Sequence, residues 1–233
     1  MSITYFRPRK PGPEALIEND VVNEVQNLFP SGDRSLWTAG SLPIGGGMPD
    51  IVVVTCEPQV FAVTQVEMPN EHLLAYLRVV GRARIETIAK RMERSQEIIV
   101  RCLDGLVEVE IIKNDSGVFS LSPIWRDILP DIVTIEVKVK NWRKAVTQAS
   151  RNRIFAHSSY VALPISLADR VKSESIFSQL GIGLLSVDDH HEVRILRRAR
   201  RCQPRVWSYY YKLAFIMVSH LQEDQDAICC ATG

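Results

Sequence analysis

Glu136 and Lys138 stand two residues apart in IEVKVKN, where apolar and charged residues alternate. Alternate side chains of a strand share a face, so these two point one way while Ile135, Val137 and Val139 point the other. A further acid, Asp50, opens the β-branched run DIVVVT after the glycine loop GGGM. Two carboxylates are hard oxygen donors suited to Mg²⁺, with Mn²⁺ as a substitute. A cation held there lowers the pKa of a bound water and offsets charge on phosphate oxygens. A lysine beside it can orient that water and offset the negative charge that develops. These are the residue types that phosphodiester hydrolysis needs. Taken alone, an acid-x-lysine triplet also arises by chance in a chain of this size, and a solvated strand face is then its ordinary meaning.

The elements that must position these residues can be read from periodicity. Residues 12–29 form a helix, with Pro13 in the first turn and Ile17, Val21, Val25 and Leu28 at helical spacing. Strands follow at 36–39 and 51–55, the latter strongly β-branched, with a returning hairpin strand at 60–66. Then the texture changes. Helices are expected at 71–80, 85–92 and 96–106, with a tight turn at 93–95. A strand at 107–113 turns at Asn114-Asp115-Ser116-Gly117 and returns over 118–121. Helix, helix-turn-helix and hairpin in this order resemble a winged helix-turn-helix. After Pro130 come a strand at 132–139, a helix at 142–154, a strand at 159–164 and a helix at 166–180. Strands in GIGLLSVD and EVRILRR and an amphipathic helix at 207–221 complete the chain. The fold class is α/β, a mixed sheet flanked by helices. Residues 1–69 and 128–205 make a discontinuous core, 70–127 an inserted subdomain, and 206–233 a C-terminal helix and tail.

Pro49-Asp50 and Glu136-Val137-Lys138 together resemble the signature of the PD-(D/E)xK nucleases, the restriction-endonuclease-like superfamily. The stretches NWRKAVTQASRNRIFAHSSYVALP and GIGLLSVD resemble its β-α-β continuation, so the likeness covers about 13–66 and 130–201. It implies a metal-dependent endonuclease with Asp50 and Glu136 as metal ligands and Lys138 as the catalytic lysine. It also implies a supporting glutamine, matched by Gln148, and a first-helix acid, matched by Glu18. A boundary glutamate whose head reaches water is the other reading of Glu18. The resemblance implies a homodimer as one way to cut both strands. The departure is spacing, because the inserted segment separates Asp50 from Glu136. An insertion whose ends lie close together restores the geometry. Pro130-Asp131 is a rival signature, but Asp131 lies five residues before Glu136, about 16 Å away by strand rise and on the opposite face.

Arg194, Arg197, Arg198, Arg200, Arg201 and Arg205 crowd one stretch with no acid between them, and Arg151, Arg153, Arg143 and Lys144 follow the motif strand. These side chains can grip phosphates beside a cut site, or form a charged edge that keeps strands of two molecules from pairing. In the inserted segment Arg94, Gln96 and Arg101 are the first candidates to reach DNA. Glu97, Asp104, Glu108 and Glu110 would repel phosphate, which leaves docking of a protein partner as the alternative. His190 and His191 beside Asp188 and Asp189 read as a solvated turn rather than a metal site.

The 233 residues are 46% hydrophobic and 24% charged with a formal net charge of +1, so any nucleic-acid surface must be local. Five cysteines without a C-x-x-C argue against a zinc ribbon. The opening MSITYFRPRK has no apolar segment of signal-peptide kind, and no apolar run approaches the ~20 residues that span a bilayer. The expectation is a cytoplasmic protein that acts on DNA. Two alternatives stay open: a non-enzymatic winged-helix DNA-binding regulator on an inactive nuclease fold, and an RNA-directed nuclease.

Overall fold

The structure, a computed structural model, describes residues 2–6, 11–45, 47–63 and 70–231. Two compact units emerge, and each is discontinuous in sequence. One comprises residues 1–56 and 130–205, the other residues 57–129 and 206–233.

The first unit begins with strand β1 (Ser2–Tyr5), helix α1 (Pro13–Leu28) and strands β2 (Ser35–Gly40) and β3 (Ile51–Cys56). The chain then enters the second unit with a 3-10 turn, Pro58–Ala62, followed by α2 (Glu71–Val80), β4 (Arg82–Arg84), α3 (Ile85–Met92) and α4 (Gln96–Glu108). Strands β5 (Ile112–Asp115) and β6 (Val118–Leu121) and a single turn of helix, α5 (Pro123–Arg126), complete that excursion. Back in the first unit come β7 (Asp131–Val137), α6 (Trp142–Asn152), β8 (Ser158–Pro164), α7 (Ile165–Val171), α8 (Ser175–Leu180), β9 (Gly183–Val187) and β10 (Val193–Arg197). The last helix, α9 (Trp207–Ala231), belongs to the second unit.

The first unit is a seven-stranded mixed sheet in the order β1-β2-β3-β7-β8-β9-β10. β3 runs antiparallel to both β2 and β7, whereas β7, β8 and β9 are parallel neighbours. Strand alternation sorts its apolar residues onto two faces. Val133, Ile135 and Val137 of β7 join Tyr160 and Ala162 of β8 against Ile17, Val21 and Val25 of α1. Val161 and Leu163 turn the other way, onto Ala145, Val146 and Ala149 of α6 and Leu167 and Ala168 of α7. Helices therefore cover both faces, which is why the central strands read as unbroken apolar runs. Gly183 is required where it stands: the ring of Tyr160 lies 2.2 Å from where a Cβ would be.

In the second unit a three-stranded sheet, β4-β6-β5, accompanies α2, α3 and α4. α2 packs on α9. The Tyr210 hydroxyl accepts the Leu129 N–H at 2.8 Å, and the Tyr211 hydroxyl donates to the Trp125 carbonyl at 3.0 Å. The Arg78 guanidinium lies 3.7 Å from the centre of the Trp207 ring. Burial pushes both tyrosine hydroxyls well above their ordinary pKa.

Several expectations need correction. No returning strand forms within residues 60–63. Both edges of β3 are already occupied, by β2 and β7, and Pro58 starts a 3-10 turn with Val60 N–H bonded to Glu57 O at 3.1 Å. Residues 64–66 of that expected strand lie outside the described residues. The strand expected at 107–113 begins only at Ile112, because the buried stripe Ile99, Cys102, Leu103 and Leu106 carries α4 on to Glu108. Glu110, at φ 57°, then breaks the helix. The helix expected at 166–180 is two helices divided at residues 172–174. Strands β1 and β4 and helix α5 had no counterpart in the sequence reading. Among the described residues, no helix is long and apolar enough to cross a membrane.

Candidate active site

The β3–β7 register closes with Ile51 paired to Ile135, so Asp50 and Glu136 are the next residues on the two neighbouring chains. The insertion therefore does not separate the acids in space. Its two ends leave and rejoin neighbouring strands, with Thr55 paired to Asp131. Asp50 sits just before β3, where its Oδ2 accepts the main-chain N–H of Val137 at 2.8 Å. The Lys138 ammonium donates to the same Oδ2 at 3.3 Å, to the Val137 carbonyl at 2.6 Å and to Glu14 Oε2 on α1 at 3.4 Å. A cation thus already sits among two carboxylates and a carbonyl, which is the hard-oxygen donor chemistry that Mg²⁺ also takes. Among the described residues, no three His, Cys, Asp or Glu side chains gather as a ready metal cluster.

Glu136 and Lys138 do not act as a same-face pair. β7 ends at Val137, so strict alternation no longer governs Lys138, although its N–H still bonds Ala162 O at 3.2 Å. The Lys138 ammonium lies with Glu14 of α1, whereas Glu136 Oε1 accepts from Asn152 Nδ2 of α6 at 2.7 Å. Asp50, Glu136 and Glu18 are each no more than 3% exposed. Glu18 lies one turn beyond Glu14 on α1, and Glu14 is within reach of Lys138. Gln148 is half-buried on α6, with an Oε1 that has no hydrogen-bond partner. Sequence reasoning passed over Glu14 and Asn152. Each was one helical turn from a residue it did choose, Glu18 and Gln148, and a turn of four residues keeps side chains on one face.

The basic residues divide. Arg143 lies over the Trp142 ring at 4.5 Å, and Lys144 is exposed on the first turn of α6. Arg198 is exposed and lines a cavity of about 200 Å³ with Asp131, Ser158 and Tyr160. Arg197 instead donates to the Lys172 carbonyl at 2.8 Å and to Ser178. Arg201 donates to Pro130 O at 2.7 Å and to Asp131 at 3.3 Å. Arg153 is buried, with donors to Leu180 O, Arg200 O and Cys202 Sγ. In the second unit Arg94 and Gln96 are exposed, and Arg101 is paired with Glu97 at 3.2 Å. His191 Nδ1 lies 3.0 Å from the Asp20 carboxylate on α1, which holds its pKa above the ordinary histidine range.

Comparison with protein-family models, with curated proteins and with solved structures finds no match.

Proposed function

We propose that this protein is a metal-dependent endonuclease that hydrolyses phosphodiester bonds in DNA, on a restriction-endonuclease-like core with an inserted winged helix-turn-helix. One observation carries the reading: the Lys138 ammonium meets Asp50 where β3 begins and β7 ends, two residues along from Glu136. Support for the core comes from β7–α6–β8, a strand, a helix and a parallel strand in the order the resemblance implies. The three helices and the β5–β6 hairpin of the second unit support the winged reading.

Asp50 and Glu136 would hold Mg²⁺ or Mn²⁺, with Glu18 the first-helix acid that the resemblance implies, while Glu14 is the α1 acid that contacts Lys138. Such an ion supplies a more acidic bound water and neutralises phosphate charge. Lys138 orients the attacking water and faces the charge that grows on the phosphate. Its link to Asp50 fixes it at the strand ends, so its ammonium is directed before substrate arrives. Gln148 supports the site from α6. Arg143, Lys144 and Arg198 are exposed to meet flanking phosphates.

For the second unit, a protein partner is favoured over DNA by the exposed side of α4. Ile98 and Val100 are 41% and 39% exposed there, among Glu97, Asp104 and Glu108. Acids on that side repel phosphate.

The test is cleavage of supercoiled plasmid, linear duplex, single-stranded DNA and RNA, with Mg²⁺, Mn²⁺ or EDTA. The expected result is metal-dependent cutting of DNA that Lys138→Ala abolishes. Equal cutting by Lys138→Ala overturns the reading. Metal-independent binding without cutting, unchanged in that variant, replaces it with the regulator.

A further inference from the structure

We propose that Asn152 is a positioning residue that aims the Glu136 carboxylate, with the glycine loop before Asp50 as its cover. The inference rests on the metal-dependent reading above. Asn152 is the last residue of α6 and is 1% exposed. Its main-chain carbonyl is fixed by the N–H groups of Phe155 and Ala156 at 3.2 and 3.0 Å. Ala145, Val146 and Ala149 hold the same helix to the sheet, and two of these three are small enough to let helix and strand approach closely. The side-chain amide therefore has little freedom, and it donates to Glu136 Oε1 at 2.7 Å. A hydrogen bond to a carboxylate is short and strong, so it fixes the direction in which the Glu136 carboxyl points.

The other end of the amide faces the loop. A Cβ on Gly47 would stand 2.7 Å from Asn152 Oδ1, a separation that real side chains do not adopt. Only glycine lets the loop lie this close. That loop runs directly into Asp50, so a single asparagine holds one acid by hydrogen bond and packs against the segment that delivers the other. Partners that orient a ligand from behind typically affect metal affinity by about 10- to 100-fold when removed.

The experiment measures Mn²⁺ binding to the full chain by calorimetry without DNA, together with melting temperature and DNA binding in EDTA. For Asn152→Leu, Mn²⁺ affinity is expected to fall about 10- to 100-fold, with DNA binding in EDTA unchanged. Gly47→Ala is expected to shift affinity in the same direction by less. A purely structural asparagine would lower the melting temperature and leave Mn²⁺ affinity alone. Affinity within about twofold of wild type in a folded Asn152→Leu protein overturns the inference. Should that variant not fold, Asn152→Ser and Gly47→Ala give the same two outcomes. If wild type neither binds Mn²⁺ nor cuts any substrate, the metal-dependent reading fails and this inference falls with it. Wild-type binding with an indifferent Asn152 removes this inference alone.

Discussion

Strand β7 carries an acid–base contact at each end, and the two ends differ in which charge sits at the centre of the contact. At its start Asp131 accepts from Arg201, which also binds the neighbouring Pro130 carbonyl, and Arg198 lines the same cavity as the acid. His157 stands 4.0 Å from Asp131, but its Nδ1 accepts the Ile132 N–H at 3.0 Å, so that nitrogen is no donor to the acid. One carboxylate there is outnumbered by guanidinium groups. At the finish, Asp50 and Glu14 surround the single ammonium of Lys138, with Glu136 two residues earlier on β7. Buried carboxylates are costly unless cations or donors compensate them. At the start of β7 Arg201 offsets that cost only in part, because burial still raises the Asp131 carboxyl above its usual range. At the finish the Asp50 carboxylate meets the Lys138 ammonium and the Val137 N–H, and Glu136 meets the Asn152 amide. Pro130-Asp131, the rival signature in sequence, lies at the start of β7, five residues before Glu136.

The comparison breaks first on activity. Asp50→Ala and Lys138→Ala are each expected to cut plasmid at least about 100-fold more slowly, whereas Asp131→Asn keeps wild-type rates. Comparable losses at both ends would remove the distinction. Next comes the metal: Glu136→Gln should weaken Mn²⁺ binding measured by calorimetry, and Arg201→Ala should leave it unchanged. Stability differs less. The Asp131–Arg201 pair is 38% and 53% exposed, so chemical denaturation of Arg201→Ala should show a loss below about 1 kcal/mol. Burial raises the Asp131 carboxyl above its usual range, with Arg201 opposing this. The fold then takes up that proton more readily than the unfolded chain. Its contribution grows as pH falls through the raised value, and Asp131→Asn should flatten that part of the stability profile. The smallest effect is at His191. Its raised pKa makes the Asp20 contact fully stabilising below the ordinary histidine value, and the contribution is lost as pH rises through the raised one. An NMR titration of His191 in wild type and Asp20→Asn should show the shift disappear.

Much of this organisation was legible in sequence where the physics is local. The stripe from Ile17 to Val25 specified α1, and the β-branched run at 51–55 specified β3. Helices at 71–80 and 85–92 were readable because each has its own apolar periodicity. Asp50, Glu136 and Lys138 were legible as residue types, and the sheet register supplies the nearness of the two acids. What could not be read depended on competition between distant segments. A hairpin partner for β3 was reasonable until β2 and β7 took both its edges. Val107 and Val109 alternate like a strand, yet the buried stripe of α4 overrides them. Likewise the carbonyl partners of Arg153, Arg197 and Arg201 come from segments distant in sequence, so they could not be read from it.

The double interruption of the chain has a consequence for dissection. Residues 57–129 leave the sheet from β3 and return to it at β7, and their unit also includes α9 from beyond residue 205. Neither unit can be cut out as one contiguous fragment. A peptide of 57–129 alone would lack α9 and bare the face of α2 that packs on it, and truncation before Trp207 would do the same to the full chain. Independent expression of either unit therefore calls for a rearranged gene: a short turn joining Thr55 to Asp131 for the sheet, and a fused α9 for the other.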